Sequence, residues 1–224
     1  MNKRKSIIII SIVLVCCLIM GIIDAVVKPQ YMMKSIIKIF LFLICPIVYS
    51  IYDKELNIKL LFKANKQGLI VAFLSGISIF IFILGGYFLI GSFFNLSNIT
   101  LSLTKNIGVN KNNFLWIAIY ISFINSLLEE FFFRGFSFFT LKDNTSRKFA
   151  YIFSSSVFAF YHIAMMIGWF DIVLFILLLS ALFVGGLIFN YFNEKYENIY
   201  ISWLIHMFAN FAINSIGFIL FSIV

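Results

Sequence analysis

Six side chains in this 224-residue sequence can do chemistry where water is scarce: Glu129, Glu130, Arg134, His162, His206 and Asn210. Three of them lie in one apolar stretch, Asn125-Ser-Leu-Leu-Glu129-Glu130-Phe-Phe-Phe-Arg134-Gly135. A charged side chain at the centre of a membrane helix costs about 2.5–3.5 kcal/mol on insertion scales, and such groups usually mark function. Spacing separates their roles. Glu130 and Arg134 are i,i+4 and can pair on one helical face. Glu129 is turned about 100° from Glu130, because a helix has 3.6 residues per turn. A structural ion pair therefore accounts for Glu130 and Arg134 and leaves Glu129 over. The chain has only two histidines, His162 and His206, each in a further apolar stretch. His206 and Asn210, again i,i+4, share a face.

A carboxylate, two imidazoles and an amide at one level have three uses. The first is water activation. A carboxylate removed from bulk water makes a good general base. A histidine can share or relay the proton, and a histidine or asparagine can stabilise an oxyanion. The second is metal binding by Glu129, His162 and His206, since two histidines and a glutamate form a hydrolytic set for Zn2+ or another divalent ion with a position left for water. The third is a proton or ion path. Spacing alone does not choose among them.

These residues need spanning helices to position them. The chain is 62% hydrophobic and 12% charged with a mean hydropathy of +1.05, far from the roughly 25% charge of a soluble domain. That composition excludes a soluble globule, a disordered chain and a coiled coil. Seven stretches approach the roughly 20 apolar residues that a spanning helix needs: 6–27, 35–52, 68–94, 114–141, 149–168, 171–192 and 199–222. No period-2 pattern of barrel type occurs, so the predicted fold is an all-α polytopic bundle enclosing a polar intramembrane cavity. At about 1.5 Å of rise per residue, Glu129, His162, His206 and Asn210 fall about 18, about 20, about 12 and about 18 Å from the inner ends of their helices. They can meet at one depth.

The net charge of +8 reads as topology rather than nucleic-acid binding. With the N-terminus in the cytoplasm, the inner segments hold eleven Lys and Arg, among them Lys3, Arg4, Lys5, Lys54, Lys59, Lys63, Lys66 and Lys195. The outer flanks hold five: Lys28, Lys34, Lys38, Lys105 and Lys111. That imbalance predicts N-in and C-out. Asp24, at the outer end of the first span, is assigned to the same topological set. Lys59, Lys63 and Lys66 fit either a short interfacial helix on anionic lipid or a solvated loop. The segment 95–113 reads as a polar external loop. Cys16, Cys17 and Cys45 have neither disulfide nor zinc spacing and read as packing residues. One membrane domain suffices, 1–113 supplying N-terminal spans and 114–224 the catalytic core. No internal repeat of the kind common in transporters is visible.

The elements Glu129-Glu130-x-x-x-Arg134, Phe158-x-x-x-His162 and His206-x-x-x-Asn210 resemble the three motifs of the CAAX-protease and bacteriocin-processing (CPBP, or Abi) intramembrane proteases, the type II CAAX prenyl endopeptidases and their bacterial relatives. Ser155-Ser156 and Trp203 are also similar to that pattern, and the likeness covers about 114–212. It implies a bundle around a conical, water-accessible cavity, and hydrolysis of a peptide bond in a membrane-associated peptide or protein. Glu129 would activate water with help from His162. His206 and Asn210 would hold a metal or stabilise the oxyanion, and Glu130 and Arg134 would support the site. The short chain, its basic N-terminus and its lack of appended domains resemble a bacterial, plasma-membrane member. The alternative is a non-catalytic membrane regulator or bacteriocin self-immunity protein on the same fold.

Overall fold

A computed structural model of the chain describes residues 2–53, 61–63 and 65–223. Its described regular structure is helical throughout. Among the described residues, seven helices are long and apolar enough to cross a membrane: α1 (Lys3–Val27), α2 (Tyr31–Tyr52), α3 (Lys66–Phe93), α5 (Phe114–Asn144), α6 (Arg147–Met166), α7 (Ile172–Tyr196) and α8 (Tyr200–Leu220). They correspond to the seven expected spans. The eighth, α4 (Ser97–Ile107), lies in the segment expected to be a loop. It lacks an apolar run, but its ends were marked. The Asn95 side chain accepts from Ser97 N, and Gly108 closes the helix in the left-handed conformation at φ 71°, as glycine does after a last turn. The expected interfacial helix over Lys59, Lys63 and Lys66 lies outside the described residues, except for Lys63 and for Lys66, which opens α3.

Local chemistry sets the helix ends. The side chains of Asn2, Asn65, Ser146 and Asp171 accept from backbone N–H groups in the first turns of α1, α3, α6 and α7, satisfying donors that a helix leaves open. With no hydrophobic drive between helices in lipid, close approach depends on small residues. Gly68, Ala72 and Gly76, each four residues apart on α3, supply such a stripe. A Cβ on Gly76 would strike the Phe208 ring, and one on Gly68 would lie 2.6 Å from Ile201 Cδ1, so this face lets α3 seat on α8. Gly186 of α7 likewise faces the Ser155 backbone of α6.

The core is aromatic. Phe42 stacks on Phe132 at 4.1 Å, and Phe133, Phe136, Phe138, Phe158 and Tyr161 join them with Ile9, Val13 and Met20 of α1. α5 and α6 are the most buried spans and α3 and α7 the least, so the helices bearing Glu129 and His162 form the centre. α5 is not uniform. It widens into π-helical turns over Ile121–Asn125 and Phe131–Phe138, on either side of the regular turn Ser126–Glu130. Such turns often accompany functional sites. Here they bracket the two glutamates.

Candidate active site

Glu129 projects from α5 with 2% of its surface exposed, and its two carboxylate oxygens face different partners. Oε1 accepts from Lys38 Nζ of α2 at 2.5 Å and from Asn125 Nδ2, one turn earlier on α5, at 3.1 Å. Oε2 stands 3.7 Å from Nε2 of His162 and 3.7 Å from Nε2 of His206. Those spans are too long for direct hydrogen bonds, and a water lying to one side of the gap reaches both atoms of a pair.

Both imidazoles are held from behind. His162 Nδ1 lies 2.7 Å from the Phe158 carbonyl oxygen. His206 Nδ1 lies 2.9 Å from Glu130 Oε1. A carbonyl and a carboxylate only accept, so each Nδ1 carries the hydrogen and donates it. In the neutral rings, both Nε2 lone pairs are then turned toward Glu129 Oε2. The sequence pairing of Glu130 with Arg134 is present, NH1 donating to Oε1 at 3.0 Å, but Glu130 does more than neutralise it. The same Oε1 orients His206. The Arg134 guanidinium is held between the rings of Phe158, at 4.0 Å, and Phe189, at 4.9 Å. Phe189 also lies 5.7 Å from the His206 ring.

Asn210 sits on the same face of α8 but uses its amide differently. Its Nδ2 donates to the Ile121 carbonyl at 3.2 Å, at the start of the first wide turn of α5. Trp203 Nε1 donates to the Phe123 carbonyl and to Ser126 Oγ, both at 3.1 Å. Asn214 Nδ2 donates to Ser122 Oγ at 3.0 Å. Trp203, His206, Asn210 and Asn214 form one polar stripe fastening α8 to α5. The structure thus gathers Glu129, His162 and His206 directly, places Glu130 and Arg134 behind His206, and ties Asn210 to the α5 backbone at Ile121.

Residues 111–212 match the family model of the type II CAAX prenyl endopeptidase Rce1-like proteins. The match agrees with the expected extent of the resemblance and contains all six residues named from the sequence. It starts just before α5 and ends within α8, so α1, α2 and α3 lie outside it. No curated protein and no solved structure matches the chain. Together with the seven apolar helices, this likeness to a membrane protease family makes the chain an integral membrane protein.

One sequence expectation changes at the site. Lys34 and Lys38 were assigned to the outer flank and Asp24 to the topological charges, but all three are buried. Lys34 Nζ pairs with Asp24 Oδ1 at 2.6 Å, and Lys38 with Glu129. The physical reason is depth. α2 begins at Tyr31, so both lysines lie inside the helix, where an ammonium needs an anion. The signal was visible, since Lys38 falls inside the expected span 35–52.

Glu129, His162 and His206 are also the donor types of a zinc site, but among the described residues no three His, Cys, Asp or Glu are placed to hold a metal ion. The Lys38 ammonium engages Glu129 Oε1, the oxygen turned away from the histidines. The chemistry proposed for the site is built on its own side chains.

Proposed function

We propose that the protein is an intramembrane endopeptidase that hydrolyses a peptide bond of a membrane-associated peptide or protein, with a CAAX-type C-terminus as the first substrate class to try. The observation that carries this reading is the approach of Glu129 Oε2 to two imidazole Nε2 atoms, each 3.7 Å away and each fixed through Nδ1. A water bridging Oε2 and an Nε2 gives its proton to Glu129 as its oxygen attacks the substrate carbonyl carbon. The tetrahedral oxyanion is stabilised by the second N–H of the Asn210 amide, while His206, whose Nδ1–H is given to Glu130, accepts at Nε2 from the attacking water and holds it. The proton taken by Glu129, passed directly or through His162, goes to the departing amine as the C–N bond breaks. Glu130 and Arg134 keep His206 in its tautomer and orientation. We place the protein in a bacterial plasma membrane with its N-terminus in the cytoplasm, the orientation its surface Lys and Arg favour. Moving Lys34 and Lys38 from the outer flank to the interior strengthens that bias.

The test is cleavage of a farnesylated CAAX peptide, its unprenylated twin and a transmembrane peptide by protein in liposomes, read by mass spectrometry. Wild type should cut at least one. Glu129→Gln, which keeps the shape and removes the base, should lower kcat by about 10²–10⁴-fold, the usual worth of general base catalysis. Equal turnover by the variant, or no cleavage by wild type, refutes the reading. The latter result would favour a non-catalytic regulator.

A further inference from the structure

α2 lies outside the matched segment and contributes a charge to Glu129. Lys38 is 3% exposed. Its ammonium lies 2.5 Å from Glu129 Oε1, 2.6 Å from Asn125 Oδ1, and over the rings of Tyr161 and Phe42 at 5.0 and 5.4 Å. Asn125 in turn donates to the same Glu129 Oε1 at 3.1 Å. The three side chains close a ring that saturates Oε1 and leaves Oε2 as the oxygen turned to His162 and His206.

We infer that Lys38, assisted by Asn125, is a positioning residue for the reaction: it anchors Glu129 through Oε1 so that Oε2 works as the base. This rests on the reading of Glu129 as base given above. A charge taken out of water is paired or neutralised, and Lys38 supplies the pair from an element other than α5. Glu130 has its own cation in Arg134, whose NH1 is engaged at Glu130 Oε1. A glutamate side chain rotates freely about several bonds, whereas two donors on one oxygen fix which oxygen faces the histidines. Charge-assisted bonds of this kind are about twice as strong as neutral ones. An architectural consequence follows. The division between 1–113 and 114–224 cuts through the site, since Lys38 belongs to the first part and Glu129 to the second.

The experiment compares kcat and KM of wild type, Lys38→Met, Lys38→Arg, Asn125→Leu and Glu129→Gln on the peptide that wild type cleaves best, in liposomes, with thermal unfolding of each in detergent. A misplaced reacting group costs about 10²-fold, so Lys38→Met should lose about that factor in kcat with KM changed less than about threefold. Lys38→Arg, which restores a cation, should recover most of the loss. Wild-type turnover by Glu129→Gln defeats the base reading and this inference with it. An inactive Glu129→Gln beside a folded Lys38→Met of wild-type or higher kcat overturns this inference alone. So does a Lys38→Met defect confined to KM, which would make Lys38 a substrate contact. If Lys38→Met does not fold, Asn125→Leu decides, because it leaves the ion pair and removes the second hold on Oε1. An unchanged kcat there overturns the inference, and a loss of about tenfold or more, the scale of misplacement effects, supports it.

Discussion

Replacing Arg134 by methionine keeps most of the apolar stem and removes the guanidinium. Arg134 and Glu130 are both fully enclosed, so the carboxylate left behind has no cation and one remaining donor, His206 Nδ1. Removing one partner of a buried ion pair costs about 3–5 kcal/mol. The guanidinium also lies over Phe158 and Phe189, and a desolvated cation–π contact is worth up to about 2 kcal/mol. Against these losses, Arg134 Nε and NH2 have no hydrogen-bond partner among the described residues. An unsatisfied buried donor costs about 1–3 kcal/mol, and methionine removes that cost. The balance places Arg134→Met near the lower end, at about 3 kcal/mol of destabilisation. Glu130→Gln/Arg134→Met should be markedly more stable than Arg134→Met, because a buried pair replaced as a whole is often neutral. The assay is reversible unfolding in mixed micelles for the four members of the cycle. A single variant within about 0.5 kcal/mol of wild type, or a double variant whose loss is the plain sum of the singles, refutes the coupling. The double variant should still lose turnover, because His206 loses the carboxylate that orients it.

Two further outcomes test the packing and the chemistry. Gly76→Val should lower stability by about 1–3 kcal/mol through overpacking, since its Cβ would meet the Phe208 ring, while Gly85→Val, with open space around it, should leave the melting temperature unchanged. Exhaustive EDTA treatment should leave peptide cleavage intact, because Glu129, held by Lys38 at Oε1, acts as the base through Oε2 without a cation. Loss of activity restored by zinc would overturn that expectation.

The helices that carry the site were legible because lipid makes their polar residues conspicuous. Glu129, Glu130, Arg134, His162 and His206 each stand out in an apolar run, and i,i+4 spacing correctly paired Glu130 with Arg134. Helical arithmetic also placed four groups at one depth, although the wide turns of α5 were not visible in it. A π turn changes which residues share a face without changing composition. The link from Glu130 to His206 was equally hidden, because periodicity identifies a face and not the neighbour it meets. Asn210 was read as facing the reaction. In the structure its amide is spent partly on Ile121, a backbone acceptor that no side-chain pattern announces.

Lys38 shows how a stricter use of the same physics reaches further. Apart from Lys5 in the first turn of α1, which pairs with Asp53, six charged residues among those described are buried within the spans: Asp24, Lys34, Lys38, Glu129, Glu130 and Arg134. Three are acids and three are bases, and each acid takes one base: Lys34 with Asp24, Lys38 with Glu129, and Arg134 with Glu130. An unpaired charge in this interior is too costly to keep. An odd charge deep in α5 therefore demanded an opposite one from another span, and Lys38, about two turns inside α2, met that demand. Which lysine serves which acid is a matter of three-dimensional packing, since Lys34 and Lys38 stand on the same face of α2. The distribution has a functional edge. The pair nearest the end of α1 joins two helices and meets no histidine, while the pair at Glu129 leaves one oxygen facing two imidazoles. The same rule that keeps charge tolerable in the membrane thus also decides which carboxylate oxygen is available for chemistry.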